Sequence, residues 1–268
     1  DNDSIKSTYL GETHAIRGIC YFDMVRTWEN IPLLIHATQD NVPQAAHDDV
    51  YAQIVTDLKF AADNIPAKAY PKSQSASNDG YITKYAAEAM LARVYLFYDG
   101  YYNGNKGADM PGGLTKAQAL AYCEDVIKSG EFGLVKRFKD LWPASSDDKT
   151  GNYLDHWVDK SSYAGVGNKE SVLSMKFNYT ADYNGNDDGN RFVIMLGLRT
   201  NANVYNCYGQ GWGAMTVNTK QVSAYGQGDS RRQASIIDCQ QLSNYEKTYL
   251  SDQREYTGFA IKKYTPLS

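Results

Sequence analysis

The sequence predicts a mainly α protein, with a layer of helical hairpins followed by a loop-rich second half containing few short strands and helices. Three observations carry that expectation. Up to about residue 130, four stretches place apolar residues at helical spacing. Proline, glycine and polar clusters interrupt the chain where those helices would end. After residue 135 the helical period fades, and Gly, Asn, Asp, Ser and Tyr dominate around short apolar runs.

The first helix is expected over Ile5 to Trp28. Ile16, Ile19, Cys20, Met24 and Trp28 recur along it as one buried face, Trp28 reads as core, and Pro32 stops it. The second opens at His47-Asp48-Asp49, whose acids suit a helix N-terminus. It turns Val50, Ile54, Leu58, Ala61 and Ala62 inward and ends at Ile65-Pro66. The polar linker 67–80 reads as loop. Ile82 to Tyr98 is rich in Ala, Leu and Met and lacks Gly and Pro. Its Ala86, Ala89 and Ala92 let another helix come close. Asn103 to Gly113 is a glycine-rich loop, after which Thr115 caps a fourth helix that Gly130 terminates. Ala87 and Ala121 stand thirty-four residues apart, the tetratricopeptide period, but the inserts are too long for a regular array. Further on, 171–177 and 192–198 read as brief strands or loop anchors, and 214–225 as one more short helix. The chain thus divides into a tetratricopeptide-like helical region, 1–135, and a loop-rich region, 136–268, within one integrated domain.

Composition narrows the function. The 268 residues are 43% hydrophobic and 22% charged, as in globular proteins. A formal charge of −4 argues against nucleic acid as a partner. No run approaches the 18 or so apolar residues of a membrane helix. The opening DNDSIKSTYL has no signal-peptide pattern. Tyrosine is in excess, 22 against 8 Phe, and its apolar ring with a polar tip suits half-wet surfaces and ligand platforms. Cys20, Cys123, Cys207 and Cys239 form no CxxC, so no cysteine zinc site is expected, and whether Cys207 and Cys239 pair stays open. His14, His36, His47 and His156 make no HExxH, and neither a nucleophile elbow nor a Walker loop is present. Glu124-Asp125 and Asp147-Asp148 read as a helix surface and a turn, not as a glycosidase pair. The sequence therefore points away from an enzyme.

The ordered segments resemble the SusD/RagB family, the surface glycan-binding lipoproteins of Bacteroidota. Arg17-Gly18, Tyr21-Phe22, Val25-Arg26, Trp28 and Ile31-Pro32-Leu33 come first, then Val50-Tyr51, Ile54, Asp57-Leu58, Ala61 and Ile65-Pro66. Gly80, Thr83-Lys84, Ala86-Ala87 and Ala89 to Leu96 follow, then Ala119, Val126-Ile127, Ser129-Gly130, Phe132 and Leu134. Later segments are Glu170 to Leu173, Gly228 to Arg232, and Thr257-Gly258 with Lys262-Lys263-Tyr264. Two positions depart from the family pattern: Glu29 stands where a glycine is usual, and Tyr81 where a basic residue is common. Family members are longer, so the chain resembles an internal piece lacking the lipidated N-terminal region and the C-terminal part. The resemblance implies a non-catalytic, cell-surface subunit in the outer membrane, held through a lipid anchor that this chain does not include. It would present an oligosaccharide or polysaccharide to a TonB-dependent, SusC-like transporter, its helical layer on the transporter and its loop-rich side on the ligand. Two alternatives stay open, a helical-repeat adaptor for peptide or protein, and a glycoside hydrolase.

Sugars offer hydroxyl edges and weakly apolar C–H faces, so a binder needs flat rings beside polar groups. Asn201 to Trp212 mixes both, with Tyr205, Asn206, Tyr208, Gln210 and Trp212 as candidates and glycines at 209, 211 and 213 that allow close backbone approach. Tyr101, in the Tyr98–Asn105 segment, and Trp157 are added. For each ring the alternative is packing against the core. No family motif marks ligand contacts, so these residues are read from chemistry alone. No cofactor is expected. Asp182, Asn184 and Asn186 have the 1-3-5 spacing of a calcium loop and Asp188 adds charge, but Asp187 replaces the needed glycine and Val193 the needed glutamate. That segment reads as an Asx-rich turn, with calcium as its alternative.

Overall fold

A computed structural model describes residues 2–145, 164–165, 167–177, 190–199, 208, 211–241 and 257–265. Its first helix, α1 (Asn2–Trp28), buries Thr8, Gly11, Ala15, Gly18, Phe22 and Val25, positions alternately three and four apart. Three of the six are Gly or Ala, which lets α2 (His47–Asn64) lie close. A Cβ on Gly11 would sit 2.6 Å from Ile65 Cγ1, and one on Gly18 would sit 3.1 Å from Leu58 Cγ. This corrects the expected face. Ile16 and Cys20 are exposed, Ile19 and Met24 half-buried, and Trp28 is 65% exposed rather than core. Large apolar residues marked the wrong stripe because the close crossing selects small ones.

The end of α1 is set by Glu29, whose φ of +62° lies in the left-handed region that glycine favours. Strand β1 (Ile31–Pro32) then pairs antiparallel with β2 (Gln44–Ala45), Ile31 opposite Ala45. Tyr21 straps this excursion to the helix: its hydroxyl donates to Leu34 O at 2.8 Å and accepts from Leu34 N at 2.6 Å. Helix α2 is buried on two sides because α1 and α4 (Lys84–Tyr101) flank it, so Val50, Tyr51, Ile54, Val55, Leu58, Ala61 and Ala62 are all interior.

The linker 67–80 is not all loop. After Pro71 it forms a 3-10 turn, Lys72–Gln74, and a single-turn helix, α3 (Ser75–Asn78). Proline presets φ for such an entry, and that local signal outweighs the polar composition. Thr83 caps α4 by accepting from Ala86 N at 3.0 Å. Thr115 and Gln118 form a reciprocal capping box at α5 (Lys116–Lys128), and Gly130 follows it with φ +71°. Helix α4 packs on both α2 and α5, completing the layer of helical hairpins. Residues 1–133 with 169–175 make one compact unit. Segment 171–177 is a loop anchor rather than a strand: Gly133 N donates to Lys169 O at 3.0 Å, and Leu173 packs against the helical core.

Residues 134–168 with 176–268 form the second unit. Its described elements are α6 (Arg191–Leu196), α7 (Thr219–Ala224), α8 (Ser230–Ser235), β3 (Ile236–Asp238) and β4 (Phe259–Ile261). Strands β3 and β4 are antiparallel, Ile237 opposite Ala260, and Thr216 bridges to Ala260. Trp142 is interior, its Nε1 donating to Ala234 O at 2.8 Å. The run 192–198 is no strand: it is helical to Leu196, and Leu198 beyond the helix is fully buried. Asn190 caps the helix by accepting from Phe192 N at 3.1 Å, and the cap prevails over the β-branched Val193 and Ile194. Among the described residues no helix is long and apolar enough to cross a membrane.

Candidate functional site

A ring that binds the face of a sugar must be exposed and held still. Trp212 is exposed and its backbone is held. It is 58% exposed, and its backbone is locked against α6 and the turn after it. Trp212 N donates to Ile194 O at 2.8 Å, Gly213 N to Gly197 O at 3.0 Å and Ala214 N to Met195 O at 2.7 Å. Arg199 Nη1 donates to Trp212 O at 3.3 Å. The preceding residue can only be glycine, because a Cβ there would fall 2.6 Å from both Gly197 C and Leu198 O. These are backbone atoms and cannot give way. Gly213, at φ +57°, completes the turn. Phe192, Ile194 and Met195 on α6, and Met215 beyond the tryptophan, are exposed as well, so the ring stands in apolar surface.

Tyr208 lies elsewhere in the packing. It is 2% exposed, so its ring supports the unit from inside and presents no face to solvent. Tyr205, Asn206, Gln210 and Trp157 lie outside the described residues, as do Cys207 and the calcium candidates Asp182, Asn184, Asn186 and Asp188. Among the described residues no group of His, Cys, Asp and Glu could hold a metal ion. What the sequence missed is the support. Arg199 and α6 go unmarked because the run 192–198 reads as a brief strand or loop anchor, and Asn190, two residues before Phe192, is the signal for a helix there.

In the first unit, Tyr101 tops an aromatic cluster at the end of α4, which runs past Tyr98 and so takes in part of the expected loop. Tyr101 is 70% exposed, stacks on Phe97 at 5.7 Å and 12°, and meets Tyr102 edge-on at 4.8 Å. Tyr102 stacks on His47 at 4.4 Å and 6°, and Tyr98 is buried with its hydroxyl donating to Asp48 Oδ1 at 2.5 Å. Two of the three tyrosines therefore pack the helix terminus and one remains outward. Near the Tyr70–Tyr81 stack a crevice of about 20 Å³ has room for a water molecule but not for a sugar ring.

The helical layer also buries charge. Asp57 is fully buried and accepts from Arg17 Nε at 2.8 Å and Nη2 at 2.6 Å, from Gln53 Nε2 at 3.0 Å, and lies 2.8 Å from His14 Nδ1. Its bond to Arg17 holds the guanidinium pKa above the ordinary value. Glu88, also buried, meets Lys84 Nζ at 3.2 Å while Lys84 is drawn to Asp125 at 2.6 Å. Burial raises Glu88 to about 7, and the bond to Lys84 opposes the shift. Both carboxylates serve helix packing and face no described cavity.

The chain resembles known proteins along most of its length. Residues 2–96 match the SusD-like family described as starch-binding and associating with the outer membrane. A "SusD-like protein" of Bacteroides ovatus is 27% identical over 217 residues, which cover 76% of this chain and 37% of that protein. A laminarin-binding SusD-like protein of known structure superposes with TM-score 0.71 at 23% identity, covering 98% of this chain and 52% of the other. Surface glycan-binding protein A of Bacteroides thetaiotaomicron, solved with laminarihexaose, gives TM-score 0.70 at 20% identity, covering 99% and 51%. The chain thus spans little more than a third of the curated relative's length and about half of each structure's.

Proposed function

We propose that the chain is a member of the SusD/RagB family and, on that premise, a non-catalytic, cell-surface subunit that binds a saccharide and delivers it to a TonB-dependent outer-membrane transporter. The observation that carries the binding role is Trp212, an exposed indole on a backbone held by hydrogen bonds to α6 and the turn after it. A backbone held before the ligand arrives need not be ordered on binding, which leaves only the two side-chain torsions to be fixed when the ring stacks on a sugar C–H face. The laminarin-binding and laminarihexaose-bound relatives have the same fold, which favours a saccharide over a peptide as ligand. Delivery to a transporter draws support from α1, whose outward face carries Ile5, Tyr9, Ile16 and Cys20, all exposed, in helical register. That stripe offers a partner an apolar surface opposite the one packed on α2.

Native gels cast with neutral polysaccharides test the role. The chain should be retarded by at least one of them and should release no reducing ends, and it should co-purify with the SusC-like transporter when the two are expressed together. Release of reducing ends would make it a hydrolase. Free migration through every polysaccharide would remove the saccharide role.

A further inference from the structure

The second unit contains an open cavity of about 540 Å³, within the range of small-ligand sites, and Trp212 is not part of its lining. Its walls come from the turn after α7, from α8, β3 and β4, and from the 3-10 turn that follows β3. Ile236 and Phe259 supply apolar surface, and Tyr225 adds a half-buried ring. Arg232 and Gln241, both exposed, and half-buried Asp238 supply the polar groups.

Charge and hydrogen bonding define what fits there. Asp229, also on the lining, is neutralised by Arg231, whose Nη2 lies 2.6 Å from Oδ2 and whose Nε lies 3.0 Å from Oδ1. Asp238 is held in place as an acceptor, with Gln240 N at 3.2 Å from Oδ1 and Gln241 Nε2 at 2.9 Å from Oδ2. Each oxygen keeps a further lone pair for a ligand hydroxyl. Arg232 forms no ion pair with a described residue, so it offers donors to ligand oxygens. Among the described lining residues, one cation beside one free carboxylate leaves the rest neutral, which disfavours a polyanion. Directed acceptors, guanidinium donors, an aromatic ring and apolar surface on one lining match a polyhydroxylated, uncharged molecule.

We propose that this cavity is a second saccharide subsite, for a neutral oligosaccharide, separate from the Trp212 platform; it rests on the saccharide-binding role proposed above. The two are joined through the backbone. Thr216 bridges to Ala260, and Val217 N donates to Phe259 O at 3.1 Å, so the segment carrying Trp212 continues to a cavity wall. Two anchoring points on one fixed unit would let one glycan chain, or two branches, engage together with a gain in avidity.

The test is titration of the isotope-labelled chain with a panel of neutral gluco-, xylo-, manno- and galacto-oligosaccharides, followed by nuclear magnetic resonance. The side-chain amide signals of Gln233 and Gln241 and the backbone signals of Gly226 and Gly228 should shift with at least one sugar, in Trp212→Ala as in the wild type. Tyr225→Ala and Asp238→Asn should each weaken those shifts about tenfold in apparent affinity while the remaining spectrum stays native. If the Trp212 indole signal shifts and the cavity signals do not, the second subsite is wrong and the saccharide role stands. If no signal of the wild type moves with any sugar, both fail together.

Discussion

At Glu29 a side chain occupies a backbone conformation that suits glycine, and the family resemblance had marked the same position as one where glycine is usual. A left-handed non-glycine residue costs roughly 1–2 kcal/mol, part of which glycine returns as unfolded-state entropy. Glu29→Gly should therefore raise stability by about 0.5 to 1 kcal/mol, whereas Glu29→Ala, which keeps the Cβ, should give no gain. Urea midpoints of the two variants check this. Glu88 supports a second prediction at the same scale. Its carboxyl titrates near 7 in the fold against an ordinary value of 4.5, so the folded chain holds a proton that the unfolded chain releases. Its stabilising contribution is complete below pH 4.5 and is lost as pH rises toward 7. Glu88→Gln should flatten that loss and leave the protein more stable at pH 8, by on the order of 1 to 3 kcal/mol. Unfolding midpoints measured across pH 4.5–8 would show it, and a parallel fall in both proteins would refute it.

The helices themselves were legible in sequence because their ends are written in local chemistry: the acids at His47-Asp48-Asp49, the cap at Thr115, and Gly130 after α5. Their faces were less legible. The stripe of α1 that packs on α2 includes Gly11, Ala15 and Gly18, which a search for large apolar residues passes over. Two glycine substitutions distinguish packing from propensity. Gly11→Ala places a Cβ 2.6 Å from buried Ile65 and should cost about 1–2 kcal/mol net, overpacking exceeding the helix-propensity gain. Gly100→Ala in α4 meets nothing nearer than Asn105 Oδ1 at 3.4 Å and should gain a few tenths of a kcal/mol up to about 1. Thermal unfolding of both variants should move in opposite directions. A shared sign would mean that helix propensity alone governs these positions.

Across the whole molecule, the tyrosine excess has at least two origins. Tyr21 and Tyr98 are buried rings whose hydroxyls strap a loop or a helix start, and Tyr95 does the same to Ala108 O at 3.1 Å. Phenylalanine would fill the same space without the strap. Tyr101 and Tyr225 are placed differently, the first outward on its unit and the second on a cavity wall. After residue 200, sequence chemistry marks Tyr208 and Trp212 alike and does not separate the buried ring from the exposed one, because burial is set by packing between segments far apart in the chain. The central claim is that Trp212 is a saccharide platform, and not merely an exposed tryptophan. Isothermal titration of a bound neutral oligosaccharide into wild type, Trp212→Ala and Trp28→Ala tests it most directly, since Trp28 is as exposed but lies at the end of α1. Trp212→Ala should lose about tenfold or more in affinity, equivalent to roughly 1.4 kcal/mol, while Trp28→Ala binds as the wild type does. Unchanged affinity in Trp212→Ala, or an equal loss in both, would contradict it.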